Sequence, residues 1–193
     1  KQLGNDLFLK HLEEFGFFKK TGIDLNETYS KNQELKKGYE VNFANAAFGQ
    51  GVEITLMQLA RAYSALANGG NLVTPHLLDE LPLKNSEEVI SSKTASQVTS
   101  MLVSVVENGF AKASKISGYY IAGKTGTAQV SFSALGIKKS GYSDKTVQSF
   151  VGFFPAFHPQ FLILVKLDNP QTKTAEFSAL PIFHDLADYI VHL

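Results

Sequence analysis

The chain has 193 residues, enough to bury one sizeable hydrophobic core, and it is 44% hydrophobic and 19% charged, as in an ordinary globular protein. Lys plus Arg and Asp plus Glu each total 18, so no excess of basic charge indicates nucleic acid or a membrane surface as a partner. Cysteine is absent, which excludes disulfides, thiolate catalysis and cysteine-ligated zinc.

The first part of the sequence predicts helices joined by polar or glycine-rich segments. Apolar residues at helical spacing predict a helix within residues 2–15, and residues 26–42 are polar and predict an exposed loop. Thr55 is the predicted N-cap of a helix that ends at Gly69. The apolar stripe of that helix contains Leu56, Leu59, Ala60, Tyr63, Leu66 and Ala67.

Another helix is predicted to begin near Ser91 or Ser92 and to stop at Asn108-Gly109. The stripe that we expect it to bury contains Val98, Met101, Leu102, Val105 and Val106.

The character of the sequence then changes to strands. Residues 115–130, 147–154 and 161–168 are β-branched or aromatic runs, and the short "PAFHPQ" segment predicts that the last two form a hairpin. Residues 131–146 are polar and loop-like. A closing amphipathic helix is predicted from the spacing of Leu180, Phe183, Leu186, Ala187, Ile190 and Val191. Helices followed by a strand meander indicate an α+β fold.

The stretch "GYYIAGKTGTAQ" at residues 118–129 fits two incompatible motifs. It satisfies G-x-x-x-x-G-K-[ST], the phosphate-binding P-loop of nucleotide hydrolases. It also contains K-T-G, one of the signatures of the serine enzymes that process or resist β-lactams. A P-loop must open a helix with small residues, whereas Tyr119, Tyr120 and Ile121 favour an extended strand.

In a strand, residues 124–127 have a direct chemical use. Alternation places Thr125 and Thr127 on one face and Lys124 and Gly126 on the other. Two hydroxyls on one face, with an ammonium nearby, could bind a carboxylate. Gly126 would let a substrate backbone lie against the strand. For the K-T-G tripeptide alone, an ordinary edge strand with an exposed lysine is the simpler interpretation.

The flanking segments favour the K-T-G interpretation. In order, they are "ANAAFGQGVEITLMQLARAYSALANGGNLVTPHL", "ISGYYIAGKTGTAQV", "QSFVGFFPAFHPQFLILVKLDNP" and "LPIFHDLADYI". Together they closely resemble the C-terminal half of the transpeptidase domain of class B penicillin-binding proteins. The resemblance extends from "LGNDLF" to the final helix, so residues 1–193 as a whole are expected to be the C-terminal part of that domain.

The resemblance implies a fold, an activity and roles for residues. The fold is the β-lactamase/transpeptidase-like one, an antiparallel sheet flanked by helices, with a three-strand meander and the C-terminal helix in this chain. Lys124 would tune a proton network, Thr125, Gly126 and Thr127 would bind the donor peptide through its terminal carboxylate, and the Thr127 N–H would form half of an oxyanion hole. The implied ligands are peptidoglycan stem peptides and penicillins or other β-lactams. No cofactor or metal is implied.

The sequence departs from the family pattern at the nucleophile. The family uses S-x-x-K, and no serine here has a lysine three positions later. Ser30-Lys31-Asn32 matches S-x-N literally, but it lies after "LGNDLF", whereas the family places S-x-N before that helix. We therefore expect the nucleophile to lie before Lys1, in a missing N-terminal part. The resembled fold has a five-stranded sheet, and the resemblance implies that the two strands absent from this chain also come from that N-terminal part. One of those strands would pair with residues 161–168. Within residues 1–193 the outer edge of 161–168 should therefore be unpaired, and we expect either a second polypeptide segment or an intermolecular strand pairing to cover it.

The resemblance also implies a location at the periplasmic face of a bacterial inner membrane, within a cell-wall synthesis complex and with a membrane anchor upstream. K-T-G-T with "AAFGQG" favours the division-type (septal) enzyme over the elongation-type, which often has Ser in place of Thr125. The alternatives from other classes are a P-loop nucleotide hydrolase and a non-catalytic binding module. The five histidines show no metal-ligand spacing.

Overall fold

The computed structural model describes residues 3–78 and 86–193, which belong to two compact units, Lys1–Ser96 and Gln97–Leu193. The first unit is mainly helical. It contains α1 (Asn5–Glu14), α2 (Gln33–Lys36), α3 (Glu40–Ala46), α4 (Leu56–Ala67) and an antiparallel pair of two-residue strands, β1 (Asn71–Leu72) and β2 (Glu87–Glu88). Helix α5 (Ser92–Asn108) begins in the first unit and continues into the second.

Helix α4 begins as the sequence predicts but buries a different face. Thr55 caps it, and the Thr55 and Gln58 side chains form a reciprocal capping box with each other's backbone N–H. The buried positions are Gln58, Ala62 and Ala65, while Leu56 is exposed. The buried face is therefore displaced from the predicted stripe, and it includes a glutamine with several hydrogen-bond partners.

The prediction of an exposed loop over residues 26–42 is wrong in part, since most of these residues are exposed or half-buried but the segment is not simply a loop. The segment contains α2, whose Leu35 is buried with Phe43 of α3. Asn32 is also buried: its amide donates to the Phe17 carbonyl at 3.1 Å, and its side-chain oxygen accepts from the Glu53 N–H at 2.8 Å. The literal S-x-N match thus supplies a structural bridge between loops.

The second unit contains β3 (Ala122–Ser131), β4 (Tyr142–Phe154), β5 (Phe161–Asp168) and α6 (Ala179–Val191). The strands form an antiparallel sheet in the order β3-β4-β5, so the predicted hairpin and the α+β class are confirmed. Two predicted strand boundaries are wrong. Strand β3 starts seven residues late because a tight turn at Gly118, which has φ +84°, interrupts the segment from 115 onward. Strand β4 starts earlier because residues 142–146 also pair with β3.

Helix α6 covers the sheet through aromatic packing. The Phe183 ring lies 4.6 Å from that of Phe150, centroid to centroid, and 6.2 Å from that of Phe154. Gly123 and Gly152 are paired across β3 and β4 beneath these rings. A Cβ atom would lie 2.6 Å from the Phe150 ring at Gly123 and 2.7 Å from the Phe183 ring at Gly152. The two glycines therefore leave the volume that the aromatic rings fill.

Two stripe residues predicted to be buried are exposed, namely Met101 of α5 and Leu186 of α6. Helix α5 buries Leu102 and Val106 as predicted, together with Ala95, Thr99 and Val103. Strand β5 pairs with β4 on one side, and no strand among the described residues pairs with its outer edge. Whether another segment completes the sheet stays a prediction.

Candidate active site

The Lys124–Thr127 segment lies in the middle of β3, at an edge of the sheet. Thr125 and Thr127 stand opposite Phe150 and Gln148 of β4, and therefore share one face of the sheet. Lys124 and Gly126 stand opposite Val151 and Ser149 and project to the other face. This alternation is the one that the sequence predicts for a strand. The side of β3 away from β4 has no strand partner among the described residues.

The ammonium of Lys124 lies beside the first of the two hydroxyls. Its Nζ donates to the carbonyl oxygen of Thr125 at 2.9 Å and lies 3.5 Å from the Thr125 Oγ1. Lys124 is exposed. The positive charge is therefore next to the Thr125 side chain, although strand alternation directs the lysine to the other face. A ligand carboxylate at this edge would meet both the charge and a hydroxyl donor.

The hydroxyl of Thr127 is oriented by the backbone of a distant loop. Its Oγ1 accepts a hydrogen bond of 3.1 Å from the N–H of Ala175. A hydroxyl has two acceptor lone pairs and one proton. Because the Ala175 N–H occupies one lone pair, the proton of Thr127 remains available to donate to a ligand.

Gly126 lies at a close approach within the sheet. A Cβ atom at this position would lie 2.7 Å from the Oγ of Ser149 on β4. Any side chain here would therefore displace the Ser149 hydroxyl. A substrate backbone lying against Gly126 stays a prediction.

Sequence reasoning missed Gln148, the direct neighbour of Thr127 on β4. Its side chain is fully buried. The amide donates to the Thr146 Oγ1 at 2.9 Å and to the Thr172 carbonyl at 2.6 Å. Its oxygen accepts from the hydroxyls of Thr172 at 3.1 Å and Ser178 at 2.5 Å. The available signal was a glutamine in the mostly apolar "VQSFVGFF" segment, where a buried amide must find partners.

The geometry contradicts the P-loop alternative. A P-loop joins a strand to the N-terminus of a helix. Here Lys124 and Thr125 lie inside a ten-residue strand that turns back into an antiparallel partner. Among the described residues, no group of three or more His, Asp or Glu side chains is arranged to hold a metal ion.

The Penicillin binding protein transpeptidase domain family matches residues 1–188 of the chain. The chain belongs to this family. Stage V sporulation protein D of Bacillus subtilis is 36% identical over 185 residues, which cover 89% of this chain and 28% of that protein. A Peptidoglycan D,D-transpeptidase FtsI homolog of Mesostigma viride is 28% identical, covering all of this chain and 37% of that protein.

Among solved structures, penicillin-binding protein 3 of Mycobacterium tuberculosis, crystallised with ampicillin, superposes with a TM-score of 0.84 and 28% identity. The match covers 99% of this chain and 46% of that one. The α+β transpeptidase fold is therefore shared with this family. The chain spans about a third of the length of the two relatives named above, 28% of one and 37% of the other.

Proposed function

We propose that the intact protein is a serine-type D,D-transpeptidase that cross-links peptidoglycan. A serine hydroxyl attacks the carbonyl carbon of the D-Ala-D-Ala bond of a donor stem peptide, and the terminal D-Ala leaves as a protonated amine. The peptide is then bound to the serine as an ester. An amine of a neighbouring peptide attacks the carbonyl carbon of this ester, so that a new amide bond forms and the serine regains its proton. The observation that carries the proposal is the Lys-Thr-Gly-Thr segment on an open sheet edge in a chain of this family.

Each residue of the segment has a part in this reaction. The Thr125 and Thr127 hydroxyls donate to the terminal carboxylate of the donor peptide, and the Lys124 ammonium adds a favourable charge and tunes the proton network around the serine. The backbone N–H of Thr127 donates to the oxygen that becomes negative as the serine attacks. Gly126 keeps the strand flat where the peptide would lie beside it.

We place the nucleophile outside residues 1–193, in the N-terminal part of the same domain. No serine in the chain has a lysine three positions later, and the relatives are about three times as long as the matched segment. The outer edge of β5 pairs with no strand among the described residues, and this supports the same arrangement, because an apolar sheet edge is normally covered in a stable protein. The 193 residues would then be the C-terminal part of the domain and inactive alone.

The proposed ligands are peptidoglycan stem peptides and β-lactams, which would acylate the same serine. The ampicillin complex of the similar Mycobacterium tuberculosis protein supports β-lactam binding. We propose the periplasmic face of the inner membrane as the location, in a cell-wall synthesis complex. None of the described helices is long and apolar enough to cross a membrane. The proposed membrane anchor lies upstream. The division-type role is favoured by Thr125 in K-T-G-T and by similarity to an FtsI homolog.

The test is covalent labelling of the intact protein with a fluorescent penicillin. We expect one label per molecule, on the serine of an S-x-x-K motif that peptide mass spectrometry identifies outside residues 1–193. The 193-residue chain alone should remain unlabelled. An intact protein that binds stem peptides but takes no label would instead be the non-catalytic binding module.

A further inference from the structure

Gln148 joins the candidate site to the loop that follows β5. It is fully buried and directly opposite Thr127 in the β3–β4 register. Its two N–H donors and both lone pairs of its oxygen are all engaged, to Thr146, Thr172 and Ser178. A glutamine side chain has two donors and two acceptor sites. Gln148 is therefore saturated by contacts with β4 and with residues 172–178.

The two loop residues that Gln148 holds flank Ala175 symmetrically. Thr172 lies three residues before Ala175 and Ser178 three residues after it. Between them, the fully buried Ala175 donates its N–H to the Thr127 Oγ1 at 3.1 Å. One buried amide thus fixes both ends of the turn whose centre contacts the candidate ligand-binding hydroxyl.

We propose that Gln148 is a positioning residue for the carboxylate-binding hydroxyl of Thr127. By holding Thr172 and Ser178, it keeps the Ala175 N–H on one lone pair of the Thr127 Oγ1, and this leaves the Thr127 proton directed toward the ligand. The inference rests on the proposed function, since it assigns a substrate carboxylate to Thr127.

The competing interpretation is that Gln148 only stabilises the loop. The two differ in one measurable respect. If Gln148 acts through Thr127, its removal weakens reaction with a ligand that carries the carboxylate and spares one that lacks it. If Gln148 only stabilises the fold, both ligands react more slowly by the same factor.

The experiment compares the second-order acylation rates of the intact protein with benzylpenicillin and with its methyl ester. The variant Gln148→Met keeps the unbranched shape and removes every side-chain hydrogen bond. We expect the penicillin-to-ester rate ratio to fall roughly two- to tenfold, the equivalent of one ordinary hydrogen bond. In a Thr127→Val background, Gln148→Met should change the ratio by less than about twofold, because the hydroxyl that it positions is gone.

Two kinds of variant complete the design. Gln160→Met is the control, because the Gln160 amide contacts the exposed His158. The penicillin-to-ester rate ratio of this variant should equal that of the wild type. Ser178→Ala removes one of the four hydrogen bonds of Gln148 and decides the question if Gln148→Met does not fold. Like Gln148→Met, Ser178→Ala should lower the penicillin-to-ester rate ratio.

An unchanged ratio in folded Gln148→Met, or in Ser178→Ala when Gln148→Met does not fold, would overturn the inference and leave the proposed function intact. If acylation by benzylpenicillin and by its methyl ester slowed by the same factor, the inference would likewise be overturned and the proposed function left intact. A wild-type protein that neither ligand acylates would remove the proposed function and the inference together.

Discussion

The two units of the molecule each contain a buried glutamine whose hydrogen bonds hold loops in place. In the helical unit, the Gln58 amide donates to the carbonyls of Phe17 and Lys19 at 3.1 and 3.0 Å, and its oxygen accepts from the Ser30 N–H at 3.1 Å. In the sheet unit, Gln148 holds Thr172 and Ser178. The chemistry is the same, since each side chain satisfies backbone or hydroxyl groups that would otherwise be buried without partners.

The loops that these glutamines hold differ in what they contact. The partners of Gln58 are loop residues and the N-cap of α4, and none belongs to the candidate site. The loop held by Gln148 contacts Thr127. We therefore infer that the role of a buried polar residue depends on the next contact along its network. Gln58 should matter for stability alone, and Gln148 for reaction with carboxylate-bearing ligands.

The largest expected effect is on stability, from Gln58→Met. The change leaves several buried carbonyl and N–H groups without partners, and each costs about 1–3 kcal/mol. We expect the free energy of unfolding of the intact protein to fall by about 3 kcal/mol or more in denaturant titration. The acylation rate per folded molecule should not change.

Gln97→Met, on the exposed face of α5, is the matched control for Gln58→Met. Its free energy of unfolding should stay within about 0.5 kcal/mol of that of the wild type. If Gln58→Met lowered the free energy of unfolding by less than about 1 kcal/mol, the hydrogen bonds of Gln58 would not be what stabilises the helical unit.

The second effect is on activity, from Thr127→Val. The substitution removes the hydroxyl but leaves the backbone N–H, so acylation by carboxylate-bearing β-lactams should slow without vanishing. A hydrogen bond to a charged group is worth about 1.5–3 kcal/mol, which corresponds to about a 10- to 150-fold lower rate. Thr127→Ser keeps the hydroxyl and should retain most of the rate. Equal kinetics for Thr127→Val and the wild type would exclude Thr127 from carboxylate binding.

The third effect tests packing beneath the site. Gly152→Ala would place a methyl group 2.7 Å from the Phe183 ring, and overpacking of this kind costs about 1–3 kcal/mol. We expect a lower melting temperature, partly restored when Phe183→Leu is added to make room. If Gly152→Ala is as stable as the wild type, the sheet and α6 are not closely packed at this point.

The smallest effect is a pH dependence in the helical unit. Partial burial tends to raise the pKa of Glu27, but hydrogen bonds from the Thr21 hydroxyl and from the N–H groups of Gly22 and Thr21 outweigh it and hold this pKa below its ordinary value of 4.5. A lowered folded-state pKa stabilises the protein above the unfolded-state pKa, and this contribution is lost as the pH falls through the folded-state value.

The corresponding variant is Glu27→Gln. It should melt at a lower temperature than the wild type at pH 7, and the difference should shrink as the pH falls below about 4. A melting-temperature difference that is constant between pH 7 and pH 3 would mean that the Glu27 charge contributes nothing.

The sequence predicted the elements of this fold better than it predicted what they bury. The Thr55 cap, the β4–β5 hairpin and the closing helix follow from local patterns, and the alternation at residues 124–127 follows from strand geometry. The burial of Leu35 and Asn32 does not follow from local patterns, because it depends on partners elsewhere in the chain. The connection of Gln148 to the candidate site was not predicted for the same reason. Its partners Thr172 and Ser178 come from a loop that only the folded sheet brings near.

The most direct test of the central claim is a crystal structure of the intact protein acylated by ampicillin. We predict that the ligand carboxylate lies within hydrogen-bonding distance of both the Thr125 and Thr127 hydroxyls, and that the acyl carbonyl oxygen accepts from the Thr127 N–H. The Ala175 N–H should still contact the Thr127 Oγ1. A covalently bound ampicillin whose carboxylate contacts neither threonine would contradict the assignment of this edge of the sheet as the substrate-binding site.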